Sequence, residues 1–301
     1  MSGATRGGAG RRRGGPLWPW FAPALLLLGA VYLVPLLDVT RLAFGDATLL
    51  RPVSRYGLDG VAAALGDPAL PGILWTTLAF AALNVAGLVG LGLALALLVA
   101  RGDRRRLRGM GALRTLVLAA WVIPGIANGL IWQTLFSEAP FGALNSGLRL
   151  LGLPPVAWLS DPRNALLSAA IANVWHGAAF TMVILYAARR GIDPTLYEAA
   201  AVDGARPLSR FRHITLPQLR PALLVAAVLA TIQTLNGFDT ILALTGGGPG
   251  RATEVLALHV FHRVFLNLDL SGGSVLALAL VALSTALTLL YLLALRSGRD
   301  G

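Results

Sequence analysis

Six apolar runs dominate this chain and leave room for little besides a helical membrane protein. They fall at 20–37, 74–100, 116–136, 166–188, 222–244 and 275–295. At about 1.5 Å of rise per residue, each spans most or all of a hydrocarbon core of about 30 Å. Only 13% of the 301 residues are charged and 56% are hydrophobic, too apolar a balance for a soluble domain of this length. The run at 20–37 follows Arg11, Arg12 and Arg13, as a signal peptide would. Val34, Pro35, Leu36, Leu37 and Asp38 stand where small cleavage-site residues belong, so it is read as an uncleaved span. The predicted organisation is a disordered basic tail over 1–17, a first span with its outer loop over 18–71, a six-span core completed over 72–295, and a C-terminal tail over 296–301.

Orientation follows from arginine, because all 25 basic residues are Arg. Eighteen lie in the N-terminal tail, the 101–114 loop, the 189–220 loop and the C-terminal tail, against seven in the three remaining loops. That asymmetry places both termini and the two Arg-rich loops in the cytoplasm. The net charge of +11 is thus mainly a topology signal, with attraction to anionic lipid as a second contribution. Arginines dispersed over membrane loops without interleaved aromatics do not describe a nucleic-acid surface.

The residues present exclude several chemistries. A phosphate-binding loop needs a lysine, and the chain has none, so Thr245-Gly246-Gly247-Gly248-Pro249-Gly250 is not a nucleotide cradle. Without cysteine there are no disulfides or thiolate ligands. His259 and His262 share a spacing but lack further ligands at a metal-site interval. Ser168, Ser274 and Ser284 have no nucleophile-elbow setting and are expected to bond backbone carbonyls or pack between helices. The chain is read as a non-enzyme that binds no metal or cofactor.

The polar stretch from Glu198 to Pro221 reads as two short helices meeting at a bend. Asp193 caps the first, with Pro194 at its first position and Gly204 as its stop. Pro207 opens the second, which is expected to end before Pro217. The plainer reading is an amphipathic interfacial hairpin. The stretch also resembles the conserved cytoplasmic loop of the membrane subunits of binding-protein-dependent ABC importers. The pattern falls on Glu198, Ala199, Ala200, Gly204, Ile214, Leu216 and Pro217, with Asp203, Ala205 and Phe211 alongside. A second segment, Leu244 to Pro249 followed by Thr253, Leu256, Val260, Phe261 and Phe265, is similar to the carbohydrate-importing subgroup. The resemblance covers about 72–295 and lacks the extra spans and large insert of the longest maltose-type subunits.

What the resemblance implies is a type I ABC importer transmembrane domain with a two-helix coupling loop, in the plasma membrane of a bacterium. Its partners would be a second permease, two ATPase subunits holding ATP and Mg, an extracytoplasmic solute-binding protein and a carbohydrate. Permeases for polyamines, phosphate or another solute share the loop, whereas a secondary transporter would not explain it. For the solute path, span three offers Trp132 beside Asn128 and Gln133. Span four offers Asn173 beside Trp175 and His176, and span five Gln233, Asn236, Phe238 and Asp239. Helix–helix hydrogen bonding accounts for any one of these equally well, and Asp239 also suits the interface.

Overall fold

The structure is a computed structural model that describes residues 18–297; the tail predicted over 1–17 and positions 298–301 lie outside it. The described chain is helical, with isolated β-bridges joining Gly45 to Tyr56 and Thr48 to Arg51. Helices α1 (Trp18–Leu28) and α2 (Val34–Ala43) join through a π-helical turn at Gly29–Leu33 into one rod. A short α3 (Asp59–Leu65) leads to α4 (Leu70–Arg104), then α5 (Met110–Val122), α6 (Gly125–Leu135), α7 (Ala143–Leu150) and α8 (Pro162–Arg190). Next come α9 (Pro194–Val202), α10 (Pro207–Arg210) and, after a π-helical turn at Phe211–Thr215, α11 (Leu216–Asn236). The chain closes with α12 (Asp239–Leu244), α13 (Leu256–Phe261) with a π-helical turn at His262–Leu266, and α14 (Leu270–Ser297).

The most extensive helix pair is α4 against α8. Small residues let these two backbones approach, as they do wherever apolar helices meet in lipid. A Cβ on Gly92 would stand 2.6 Å from Thr181 Cγ2 and 3.1 Å from the Met182 amide nitrogen, so a side chain there would force the helices apart. Helix α11 packs across the pair, and α14 packs on α11 and α2. The rod of α1 and α2 buries none of its most apolar window within the chain.

Two predicted spans are not straight. The run at 116–136 is two helices bent by 103°, with the break at Ile123 and Pro124. Proline removes the N–H that would continue α5 and pushes Ile123 to an extended conformation, φ −65° and ψ 129°. The run at 222–244 breaks at Gly237 and Phe238, which separate α11 from α12. The short halves then pack together, α6 on α12. A Cβ on Gly129 would lie 2.6 Å from Ala243 Cβ and 2.7 Å from the Thr240 carbonyl oxygen. The second helix of the polar loop also departs from expectation. It does not end before Pro217 but runs through its π-helical turn into α11, with Pro217 just beyond that turn.

Candidate functional site

Helix α9 is built as the local sequence dictates. Asp193 Oδ1 accepts the Thr195 N–H at 2.9 Å, and that hydrogen bond holds the carboxyl below the ordinary carboxylate range. At the other end Gly204 takes φ +71°, where L side chains are strained. The Ala205 N–H reaches the Ala200 carbonyl at 2.9 Å and the Gly204 N–H the Ala201 carbonyl at 3.1 Å, a paired closure of the last turn. Arg210 Nε then donates to the Ala205 carbonyl at 2.8 Å and fixes the bend into α10. Glu198 stands in the second turn rather than at the helix start, so little of the helix dipole acts on it.

One residue pins α9 to the membrane helices. Tyr197 is buried, its hydroxyl lies 2.8 Å from Thr215 Oγ1, and the Arg189 guanidinium sits 4.4 Å from its ring centroid. Ile192 and Leu219 are buried with it, and Ile214 packs on that cluster. The opposite side of the segment is bare. Glu198, Ala199, Asp203 and Gly204 are exposed, Ala200, Ala205 and Phe211 half-buried, and Leu216 and Pro217 exposed at the entry to α11. Val202 is 89% exposed and Leu208 76%, two apolar side chains standing free outside the helix bundle. Tyr197 and Thr215 were not among the residues the sequence singled out. The one signal was an aromatic side chain in an otherwise small-residue helix, immediately before Glu198.

The second site is a cavity of about 170 Å³ where the broken helices meet α8. Asn173, His176, Gln233 and Asp239 line it, with Trp121 and the backbone of Gly125 and Gly237. The break supplies part of its chemistry. The Ile123 carbonyl, freed from the helix by Pro124, accepts a hydrogen bond at 2.7 Å from His176 Nε2, which therefore carries the proton. Asn128 Nδ2 reaches the Ala172 carbonyl at 3.2 Å and Thr240 Oγ1 at 3.3 Å, and Gln133 Nε2 the Leu244 carbonyl at 3.3 Å. Asn128 and Gln133 thus tie helices together. Asn173 donates to Asn84 Oδ1 at 2.7 Å.

The proposed path residues divide. Asn173, Gln233 and Asp239 meet at the cavity. Trp132 lies elsewhere, tilted against Phe136 at 5.1 Å and edge-on to Trp175 at 5.9 Å between ring centroids. Phe238 packs 5.3 Å from Phe261. Asn236 is exposed and bonds the Ile232 carbonyl of its own helix at 2.7 Å. The cavity opens onto an uncovered face, since Gln233, Asn236 and Asp239 are all exposed.

Elsewhere the polar residues serve the fold. Ser168 donates to the Trp158 carbonyl at 3.1 Å and Ser274 to the Leu270 carbonyl at 2.8 Å. His259 and His262 gain a carboxylate partner that their spacing did not reveal. Both Nδ1 atoms face Glu254 Oε1, at 2.9 and 3.2 Å, with Glu254 buried and held below the ordinary carboxylate range chiefly by His259. No metal-ligand cluster occurs among the described residues.

Residues 89–297, well over half the chain, match the family described as the binding-protein-dependent transport system inner membrane component. The chain belongs to that family. The permease is 39% identical over 226 residues to the trehalose/maltose transport system permease protein MalF of Thermococcus litoralis, covering 75% of each chain. It is 32% identical to the sulfoquinovosyl glycerol transport system permease protein SmoG of Agrobacterium fabrum, covering 92% of this chain and 89% of that one. A solved bacterial ABC transporter involved in import of the acidic polysaccharide alginate shares the fold, with a TM-score of 0.79 at 21% identity over 93% of this chain and 95% of the other. The permease is therefore a multi-pass inner-membrane component of an ABC importer, with the type I importer architecture expected from its sequence.

Proposed function

We propose that this permease forms half of the membrane pathway of an ATP-driven sugar importer. A second, related permease completes the path, two ATPase subunits carry ATP and Mg, and an extracytoplasmic binding protein delivers the solute. Both termini and α9 face the cytoplasm, in keeping with the arginine distribution. The observation that carries this reading is α9 itself, anchored through Tyr197 on one side and bare at Glu198, Ala199 and Val202 on the other. A small-residue helix fixed at its base offers a partner's groove close approach to its backbone and passes the partner's displacement to α11 through Thr215. Lateral motion of the ATPases thereby becomes alternation of the membrane helices between inward- and outward-facing states.

The solute assignment rests on relatives named for trehalose/maltose, lactose, sulfoquinovosyl glycerol and glycerol-3-phosphate transport. The cavity suits that class. Asn173, Gln233 and Asp239 offer planar polar groups for hydroxyls, and Trp121 an aromatic face. At about 170 Å³ it holds a few waters, each needing about 30 Å³ of liquid volume, and not a disaccharide. A solute needs the space on its open side, between this face and the second permease. An exposed Asp239 in a membrane span is accommodated by such a water-filled or protein-covered face.

The test is purification of the complete complex through a tag on this chain, followed by uptake into proteoliposomes. We expect co-purified ATPase subunits, ATP-dependent uptake of a di- or oligosaccharide, and no ATP binding by the isolated permease. Uptake of a polyamine or phosphate in preference to any sugar overturns the solute class. Uptake driven by an ion gradient without ATP overturns the importer.

A further inference from the structure

We infer that the permease carries a binding site for a phosphate-bearing anion beside α9, where the ends of α4 and α8 meet the bend into α10. Two connected cavities, about 450 and 650 Å³, surround Tyr197 and share Ala100, Arg104, Arg189 and Tyr197 as lining. Arg101, Arg104 and Arg105 enter from the last turn and cap of α4, Arg189 from the last turn of α8 and Arg210 from α10. Only two carboxylates, Asp103 and Glu198, line this space. Asp103 is already engaged by Arg114 and the Tyr186 hydroxyl, so it neutralises little of the rest. Arg101 and Arg104 are exposed and make no side-chain hydrogen bond or ion pair among the described residues. Helix C-termini favour such cations but do not discharge them.

Guanidinium groups concentrated in excess of the carboxylates beside them match phosphate oxygens in charge and in their forked geometry. The site also has an apolar wall, Leu97, Ala100 and Phe211, at the end of the membrane spans. Charge and apolar wall together fit the phosphate and glycerol region of an anionic phospholipid, and the charge alone fits a soluble phosphate ester. Either would lie between α4, α8 and the segment beneath α9, bracing the helix that the proposed function assigns to coupling. The site rests on the cytoplasmic orientation given above, but not on any solute.

The assembled transporter is placed in nanodiscs of phosphatidylcholine. One arm replaces part of that lipid with phosphatidylglycerol, and the other adds inorganic phosphate or glycerol-3-phosphate to the neutral discs. Thermal stability and retained lipid, counted by native mass spectrometry, are the readouts. Arg101→Gln with Arg104→Gln is compared with Arg106→Gln with Arg108→Gln, which removes equal charge from the same loop outside the cavities. We expect the first pair to weaken the anion effect by roughly tenfold or more, because it takes two guanidinium groups out of the site, and the second to leave most of it. Stabilisation in the phosphatidylglycerol arm names lipid as the source, and in the phosphate arm a soluble anion. Arg101→Lys with Arg104→Lys retains charge and should recover part of the effect, separating binding from misfolding. Equal loss in both Gln pairs, or no anion effect in either arm, overturns the site. Weakened ATPase retention in Arg101→Gln/Arg104→Gln without any change in anion response also overturns it, by assigning these arginines to subunit docking.

Discussion

The helix breaks of this permease are of two kinds, and they were not equally visible in its sequence. Around α9 each break is made by residues whose preference for that conformation is strong: Asp193 and Pro194 at the start, Gly204 at φ +71° at the end, Pro207 at the restart. Inside the membrane, Pro124 and Gly237 make breaks of similar consequence within runs that read as single spans. The breaks around α9 satisfy their backbone locally, through a cap and a paired closure. The Pro124 break borrows partners from distant helices, His176 for the Ile123 carbonyl and Thr240 for the Gly125 carbonyl at 3.2 Å. A local device can be read from a dozen consecutive residues. A borrowed one depends on which helices become neighbours.

If the intramembrane breaks depend on borrowed packing, the largest effect follows from separating the short halves. Gly129→Leu places a side chain against Ala243 and the Thr240 carbonyl. The cost of forcing extra atoms into such a contact is about 1–3 kcal/mol or more. Loss of folded protein in detergent, measured by size-exclusion chromatography, is the expected outcome. A variant of normal yield and thermal midpoint would show that α6 and α12 are not held together there.

His176→Phe ranks next, because it leaves the Ile123 carbonyl without its partner. Ile123 is half-buried, so the loss lies at or below the roughly 1–3 kcal/mol of a fully buried acceptor left unpaired. The thermal midpoint should fall while helix content is retained. An unchanged midpoint would mean the break satisfies itself as the breaks around α9 do.

The smallest effect belongs to the locally made break. Asp193→Ala removes the cap on α9 at a cost of about 1 kcal/mol. We expect local fraying, seen as faster hydrogen exchange over α9, with the global midpoint little changed. A global loss as large as that of His176→Phe would erase the distinction between the two kinds of break.

The same contrast marks what the sequence made legible. The helical membrane fold, the bounds of α9 and the gathering of Asn173, Gln233 and Asp239 follow from hydropathy, capping residues and polar side chains placed within spans. The continuity of α10 into α11 did not, because a proline normally ends a helix and nothing local shows that a π-helical turn carries this one past Pro217. Trp132 and Phe238, offered for the solute path, pack on other aromatic rings and do not line the cavity, a placement that spacing within a span does not reveal. Glu254 stays hidden as the partner of His259 and His262 because the link crosses the entry to α13 at intervals of five and eight residues.

The claim that joins these regions is that α9 carries ATPase motion into the membrane. The most direct measurement compares solute-stimulated ATPase activity and uptake in complete complexes bearing Glu198→Ala or Gly204→Val. Gly204→Val puts a β-branched side chain at φ +71°, a strain of about 1–2 kcal/mol confined to the bend. The expected result is normal membrane insertion and subunit abundance, with uptake and its stimulated ATP hydrolysis falling far more than either. Normal assembly with full stimulated hydrolysis and full uptake in both variants would contradict the account.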